Sequence, residues 1–588
     1  MKPNSEADTL PASLQHRDPE RAGRLWVGSG VLLILLASLA GSQFNPALLL
    51  DHDSLRTAAD FFDTFWPPRA DADFLQRLFD ASVVTVSIAT VATVLAMLVA
   101  TPLAVVITSR LSLSARGRRM KRPGRLLRRS LRGLLLFLRS VPELIWALLF
   151  VGVTGLGATA GIMGLLITNI GILAKNYAEI IESGEAAVTG HLLDNGNGRC
   201  KTLLHATLPE CLPELLSYSI YRWECTLRTS VVLGFVGAGG LGQELLISIR
   251  QLASPEVFSI ILVFIGLVSV ADAISKSLRR QLSRVARSNT VRHPDSLMEQ
   301  ADSGVDNRSV GDRSCSSARD EGSRPASPLR RWGQTCLVAL AVIACFHAVD
   351  WQLEQWLRPS SFARTQEFIQ GFFPPDLSAG LWQRLWGDAL ETLSMAFAGT
   401  ALASIVAIVV SYLLFTVNLR GAGPVVRLLS AALHLLQIVM RSVPELVWAM
   451  LLIIVAGIGP FTGTLALFLA SVGVLSRLYS ECLDNQDESA LDNLVVNGSP
   501  LALAPLWSTL MQARSQLISY SLYRWEHNLR AATLMGIVGA GGVGQELYLR
   551  LSVFQFDKVA ACVLVIVVLV ALADSISHFL RHRYAPTV

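Results

Sequence analysis

The chain has 588 residues, of which 52% are hydrophobic and only 16% are charged, with a formal net charge of +5. Soluble domains carry about a quarter charged residues, so this composition argues against a soluble protein. Its apolar runs approach or reach the roughly 18 residues that a helix needs to cross a bilayer, and the run from Val91 to Thr108 has no polar face.

The polar N-terminal tail and the two loops that follow indicate the orientation. Residues 1–24 lack a short apolar core with a small-residue cleavage site, so no cleaved signal peptide is expected. The loop at 51–79 is acidic, whereas residues 110–132 include ten Arg or Lys and no acidic residue. The positive-inside rule places the basic loop in the cytoplasm. A nucleic-acid site is the poorer explanation of that loop beside membrane spans.

The first half is predicted to contain about six membrane-spanning segments by the length criterion. They lie near 26–48, 81–109, 132–153, 157–174, 213–240 and 256–278. An even number of spans gives the next half the same orientation in the membrane. The predicted fold is therefore an all-α polytopic membrane protein.

Three motifs of the first half recur 302 residues later in the chain. They are RSVPEL at Arg139, YRWE at Tyr221 and VGAGGLGQEL at Val236, with second copies at Arg441, Tyr523 and Val538. The chain is thus two parallel repeats of about six transmembrane helices each, related by an axis along the membrane normal.

Upstream of these motifs the offset between the halves changes. Pro67 of an FWPP sequence matches Pro374 of FFPP at 307 (374 − 67). The first half therefore has five extra residues, which we expect in its longer basic loop.

The segment 279–331 separates the halves. It has no aromatic residue and is rich in Ser, Arg, Asp and Gly, a composition that cannot bury enough apolar surface to fold. We expect a disordered cytoplasmic linker, long enough to let the halves pack side by side. The predicted domains are the tail (1–24), the first transmembrane domain (25–278), this linker and the second transmembrane domain (332–588).

Charged residues recur inside otherwise apolar segments of both halves. Each costs about 2.5–3.5 kcal/mol at the bilayer centre on insertion scales, so it is expected to face the protein interior or a watery path. Glu224 and Arg228 can pair at four-residue spacing, which leaves Arg222 to find another partner. That partner is Glu143 or an anionic ligand, and purely structural ion pairs are an equal alternative. The second half repeats the pattern with Glu526, Arg530, Arg524 and Glu445.

Each half also has a glycine run at the end of a predicted span. Its residues are Gly237, Gly239 and Gly240 in the first copy and Gly539, Gly541 and Gly542 in the second. A dinucleotide site would require a preceding strand, so that interpretation is rejected. Close helix packing in lipid, with a possible gate or hinge, is the interpretation we favour.

The RSVPEL, YRWExxxR and VGAGGxG sequences, in the same order in both halves, resemble the phosphonate ABC importer permease family, as does the FFPPD sequence at Phe372, which the first half matches only loosely. The resemblance covers nearly all of both halves and implies a MetI-like permease fold in the bacterial inner membrane. It also implies two cytoplasmic ATPase subunits, a periplasmic solute-binding protein and a phosphorus oxyanion as the substrate. One chain would then supply both members of the permease pair.

The resemblance also implies an ATPase coupling loop between the fourth and fifth spans of each half. Its residues are Glu185, Gly196 and Pro209 in the first half and Gly498 in the second. The second copy departs from the family pattern, because Met511 stands where Pro209 stands in the first.

The charged residues of both repeats, with one amide, are the candidates for the substrate pathway: Arg139, Glu143, Arg222, Glu224, Arg228, Arg441, Glu445, Arg524, Glu526, Asn528 and Arg530. Asn528 fits the family pattern, and Thr226 replaces it in the first half, so the pathway is expected to be asymmetric.

The sequence predicts a transporter rather than an enzyme. It has no GxxxxGK[ST] phosphate loop, so ATP hydrolysis is assigned to a separate subunit. The eight cysteines form no CxxC pair, which argues against a metal site, and no cofactor is expected. The alternative is an ion-coupled secondary transporter, which is also commonly built from two parallel repeats.

Overall fold

The computed structural model describes residues 21–47, 52–108, 122–183, 199–290, 328–349, 351, 366, 370–419 and 423–584. Within these ranges the secondary structure is helical and contains no β-strand. The predicted all-α fold is confirmed.

The labelled helices of the first half are α1 (Arg21–Gly41), α2 (His52–Asp63), α3 (Ala72–Ile107), α4 (Arg122–Ser140), α5 (Glu143–Thr154), α6 (Ala158–Ser183), α7 (Leu208–Gly234), α8 (Leu241–Arg250) and α9 (Ser254–Thr290). Those of the second half are α10 (Pro328–Ala348), α11 (Ala379–Leu419), α12 (Pro424–Ser442), α13 (Glu445–Ala456), α14 (Pro460–Asp484), α15 (Ser489–Val496), α16 (Thr509–Met535), α17 (Gly542–Ser552) and α18 (Phe556–Tyr584).

Seven of the described helices are long and apolar enough to cross a membrane, and the bent pair α4–α5 is an eighth candidate. Large apolar side chains on these helices face outward, as lipid-facing residues do: Leu98 and Phe579 are each 67% exposed. The helices α7 and α16 also run through the bundle, but they are too polar to qualify by composition because they carry the RWE motifs.

A proline breaks the third predicted span of the first half. The axes of α4 and α5 differ in direction by 87°, and Pro142 lies at the break with a φ of −56°. Proline removes a backbone N–H donor and clashes with the preceding turn, so a helix ends before it. Pro444 occupies the same place between α12 and α13. A helix break at the RSVPEL proline is therefore present in both halves.

The first helix of each half packs on the other half. Helix α1 lies along α11, where Gly41 contacts Ser394. The ring of Phe44, just after α1, lies 5.3 Å from that of Phe461 on α14. In turn, α10 packs against α3. The two sequence repeats are therefore not two separate packing units, because each completes its bundle with a helix from the other.

The segment 279–331, predicted as a disordered linker, is helical at both of its ends. Helix α9 continues to Thr290 and α10 begins at Pro328, so both ends of the range predicted as disordered are helical. Arg, Gln, Leu and Ala dominate 279–287, and these residues have high helix propensity. Residues 291–327 lie outside the described part of the chain. The five extra residues of the first half fall where expected, since α4 starts 50 residues after α3 (122 − 72) and α12 starts 45 after α11 (424 − 379).

Candidate functional site

The charged motifs meet at the junction of the two halves, in two clusters related by the repeat. In the first crossed cluster, Arg441 of α12 lies 3.2 Å from Glu224 of α7 and 3.2 Å from Asp272 of α9. Arg477 of α14 also lies 3.2 Å from Asp272. An arginine of the second half thus neutralises carboxylates of the first half.

The second crossed cluster repeats this arrangement in the opposite direction. Arg139 of α4 lies 2.6 Å from Asp574 of α18 and 3.6 Å from Glu526 of α16. The side chain of Glu526 is only 5% exposed. The RSVPEL arginine of each half is therefore an interhalf contact, and both of its partners lie across the junction.

The pairs predicted from four-residue spacing are present. Arg228 lies 3.3 Å from Glu224, and Arg530 lies 3.4 Å from Glu526. Each glutamate is thus shared between an arginine of its own helix and an arginine of the other half. Such sharing satisfies the carboxylate in a position where an unpaired charge would be costly.

Arg222 and Arg524 have a different environment from the other arginines. Arg222 donates from Nε to Asn169 Oδ1 at 2.7 Å, and Arg524 donates from Nε to Ser471 Oγ at 2.9 Å. Both acceptors are neutral groups on α6 and α14. Neither arginine forms an ion pair with Glu143 or Glu445 within the described residues, so that predicted pairing is not found. Glu445 instead lies 3.5 Å from His527 Nε2.

The two polar residues that support each arginine occupy opposite helices in the two halves. In the first half the amide is Asn169 on α6, and it donates to Thr226 on α7 at 3.2 Å. In the second half the hydroxyl is Ser471 on α14, and the amide is Asn528 on α16, 2.8 Å away. The departure of Thr226 from the family pattern is therefore matched by Asn169 on the facing helix.

The glycine runs form tight loops between α7 and α8 and between α16 and α17. Gly237, Gly239 and Gly240 all have φ between +75° and +87°, a region that other residues rarely adopt. The Thr85 hydroxyl of α3 accepts the Leu241 N–H at 2.9 Å just after the loop. The copy in the second half has the same left-handed glycines, and the runs end helices as expected.

Only part of the predicted coupling loop can be located. Glu185 and Gly196 lie outside the described residues. Pro209 lies in the first turn of α7, and Gly498 follows α15 with a φ of +87°. Near Gly498, Val496 is 86% and Trp507 69% exposed. The second copy therefore has an apolar surface on a segment between α14 and α16.

Several residues of the junction were missed by sequence reasoning. Asp272 and Asp574 are 302 residues apart, like the repeated motifs, and lie inside apolar helices. This repeated position could have identified them as partners of Arg441 and Arg139. Asn169 and Ser471 gave a weaker signal, because they differ between the copies and each is one small polar residue in an apolar helix.

Comparison with known proteins identifies a family and several proteins that this chain resembles. Residues 110–284 match the family described as "Binding-protein-dependent transport system inner membrane component". The chain is 30% identical over 452 residues to the Phosphate-import permease protein PhnE of Mycolicibacterium smegmatis, with 77% of each chain covered. It is 37% identical over 212 residues to the Phosphite transport system permease protein PtxC of Stutzerimonas stutzeri, covering 36% of this chain and 74% of that one.

Among solved structures, an inward-facing MetNI methionine ABC transporter overlaps 35% of this chain and 99% of its own, with a TM-score of 0.32 and 17% identity.

Proposed function

The chain belongs to the permease family of binding-protein-dependent ABC importers, and we propose that it forms the membrane pathway of an importer for a phosphorus oxyanion. Phosphonate, phosphite and phosphate are the candidate substrates, in keeping with the names of its relatives. ATP hydrolysis takes place on separate subunits. The two repeats in one chain supply both halves of the pathway.

The charge of the junction carries this proposal. The two crossed clusters are largely neutralised from within, because their arginines and carboxylates pair with one another. Arg222 and Arg524 add two positive charges whose hydrogen-bonded partners are neutral. Guanidinium groups that form no ion pair suit an oxyanion, which arginine binds through paired N–H donors.

The ends of the bundle support an orientation. Arg128 and Arg132 reach the carbonyl oxygens of Thr108 and Ile107 at the end of α3, at 2.9 and 3.1 Å. We assign this basic end and both termini to the cytoplasm of a bacterium, with the protein in the inner membrane. The opposite end, where Arg69 pairs with Asp71 and Glu256, then faces a periplasmic solute-binding protein.

Two ATPase subunits would dock at the basic end. Tyr412, near the end of α11, donates a hydrogen bond to the Ala502 carbonyl at 2.5 Å, which fixes the segment after Gly498 at this end. Its exposed apolar residues, Val496 and Trp507 among them, suit contact with another protein. The crossed clusters would rearrange when ATP binding favours a different state of the two halves.

Reconstitution in liposomes tests the proposal. The chain is purified with its ATPase subunits and mixed with the binding protein and phosphite, methylphosphonate or phosphate. We expect the loaded binding protein to raise ATP hydrolysis and to drive uptake. Uptake that follows an ion gradient without any ATPase association would contradict the importer and favour the secondary transporter.

A further inference from the structure

We propose that Arg222 and Arg524 form a two-sided oxyanion-binding site, in which the pairs Asn169–Thr226 and Ser471–Asn528 aim the two guanidinium groups at a passing anion. This inference rests on the proposed function and names the residues that contact its substrate. Asn169, Thr226, Ser471 and Asn528 are positioning residues, since they act through the arginines.

The first step separates these two arginines from the rest of the charged junction. Arg139 and Arg441 each bridge two carboxylates of the other half, so their charge is already compensated. Arg228 and Arg530 each pair with a glutamate one helical turn away. An anion would have to displace a carboxylate to bind any of these four. At Arg222 and Arg524 no carboxylate of the described residues forms an ion pair that an anion would have to break, and Glu445 attracts Arg524 only from a greater distance.

The second step concerns which guanidinium nitrogens remain available. The neutral acceptors engage Nε of each arginine. Among the described residues, no hydrogen bond or ion pair joins their Nη nitrogens to another side chain. These nitrogens are also not fully buried, since they are not among the buried polar atoms that lack a partner. The terminal edge of each fork therefore has no side-chain partner that an anion must displace, even at Arg524, which is only 8% exposed, and that edge carries most of the N–H donors.

The third step is that both arginines lie on the helices that meet at the junction of the halves. Glu224 of α7 and Glu526 of α16, each two residues after one of these arginines, lie 3.2 and 3.6 Å from arginines of the other half. Tyr221 and Tyr523, directly before the two arginines, are 39% and 49% exposed, so protein does not fully cover the surface beside either arginine. An anion at this junction would have one guanidinium fork on each side.

The fourth step explains why the two sides differ in sequence but not in arrangement. Each arginine needs an oxygen acceptor on the facing helix and a second polar group that holds this acceptor. The first half supplies an amide held by a threonine, and the second supplies a serine held by an amide. The amide lies on α6 in the first half and on α16 in the second. Exchanging only one residue of a pair would therefore remove the hydrogen bonds that support the arginine.

The geometry also selects a class of ligand. A phosphorus oxyanion is tetrahedral and presents oxygen atoms in more than one direction, so two forks on opposite sides can bind different oxygens. Lysine keeps the charge but has no planar fork. An Arg→Lys exchange therefore tests the fork separately from the charge.

The experiment uses the complete transporter in liposomes, with phosphite and methylphosphonate as probes. It measures uptake per ATP hydrolysed, because the binding protein alone sets much of the apparent affinity. We expect R222K and R524K to lower the uptake per ATP about tenfold or more, because each variant loses hydrogen bonds to a charged ligand. N169S alone should lower it too, whereas N169S/T226N should restore it, because that pair copies Ser471–Asn528. R550K is the matched control and should leave uptake per ATP near the wild-type value, because Arg550 pairs with Glu546 on α17, 2.6 Å away and outside the crossed clusters.

ATP hydrolysis stimulated by the binding protein shows in the same vesicles that each variant is assembled. Wild-type uptake per ATP in R222K and R524K, or an N169S/T226N variant no better than N169S, would overturn the two-sided site and leave the importer intact. Loss of stimulated hydrolysis in both lysine variants would make the arginines structural and would also overturn it. A wild-type complex that transports neither probe nor phosphate would instead refute the proposed function.

Discussion

Single glycines in the first turns of α8 and α17 set how closely these helices approach α7 and α16. A methyl group on Gly242 would overlap the carbonyl oxygen of Val231, and one on Gly544 would overlap that of Thr533. Backbone atoms cannot rotate away as a side chain does. The conserved spacing within the glycine runs of the two halves thus serves direct backbone contact, in addition to the left-handed turns.

We expect G544A to destabilise the folded protein by about 2 kcal/mol or more, since overpacking a close-packed site costs about 1–3 kcal/mol and here the obstacle is backbone. The measurement is the thermal transition of the purified chain in detergent. Gly266 is the control, because a methyl group there meets no atom within 4 Å. Equal transitions for G544A and G266A would contradict this account.

Residues of the candidate site could be predicted from the sequence where a helix brings them together. The pairs Glu224–Arg228 and Glu526–Arg530 follow from spacing on one helix, and the structure has both. The support of Arg222 by Asn169 could not be predicted, because 53 residues separate them and their contact depends on how α6 packs against α7.

The broken helices α4–α5 and α12–α13 place an arginine at each break, facing the other half. The proline in RSVPEL predicts the break from local chemistry alone. The partners of the arginine could not be predicted in the same way. They lie on α16 and α18 or on α7 and α9 of the opposite repeat, so their contacts depend on the packing of the halves rather than on any local pattern.

Removing one carboxylate from a crossed cluster tests its contribution. We expect D574N to destabilise the chain by about 3 kcal/mol, because it leaves a poorly exposed arginine without its closest partner. Asp71 offers a matched control, since it lies 2.7 Å from Arg69 with 65% of its side chain exposed, against 21% for Asp574. D71N should cost less than about 1 kcal/mol. Similar losses of thermal stability in both variants would count against a structural role for the crossed pair.

The molecule as a whole is held together by contacts that cross between the repeats. The largest apolar core includes residues of both halves, among them Ile88, Leu144, Leu446 and Leu529. Helices α1 and α10 are exchanged, and both ion-pair clusters span the junction. The repeat, its orientation and the helical class could be predicted from the sequence. The exchange could not, because an apolar helix has the same pattern whichever neighbour it meets.

Cutting the chain within 291–327 tests this architecture. We expect fragments 1–300 and 318–588, produced together, to copurify as a one-to-one complex that hydrolyses ATP with the other subunits, because the exchanged helices still find their places. Removing residues 318–349 as well deletes α10 and should prevent copurification. Fragments that fold and purify separately would contradict the packing described here.

The helix exchange has a consequence for how such a protein is made in a cell. If the halves were separate chains, two copies of the same half could pair through the same exchanged helices and cross-junction contacts. Those pairings would bring together two identical arginine supports, and they would divert protein from the mixed pair. Tethering raises the local concentration of the correct partner to the millimolar range. A single gene product therefore fixes the one-to-one ratio and leaves each half free to accumulate its own substitutions, as the Asn169–Thr226 and Ser471–Asn528 pairs have done.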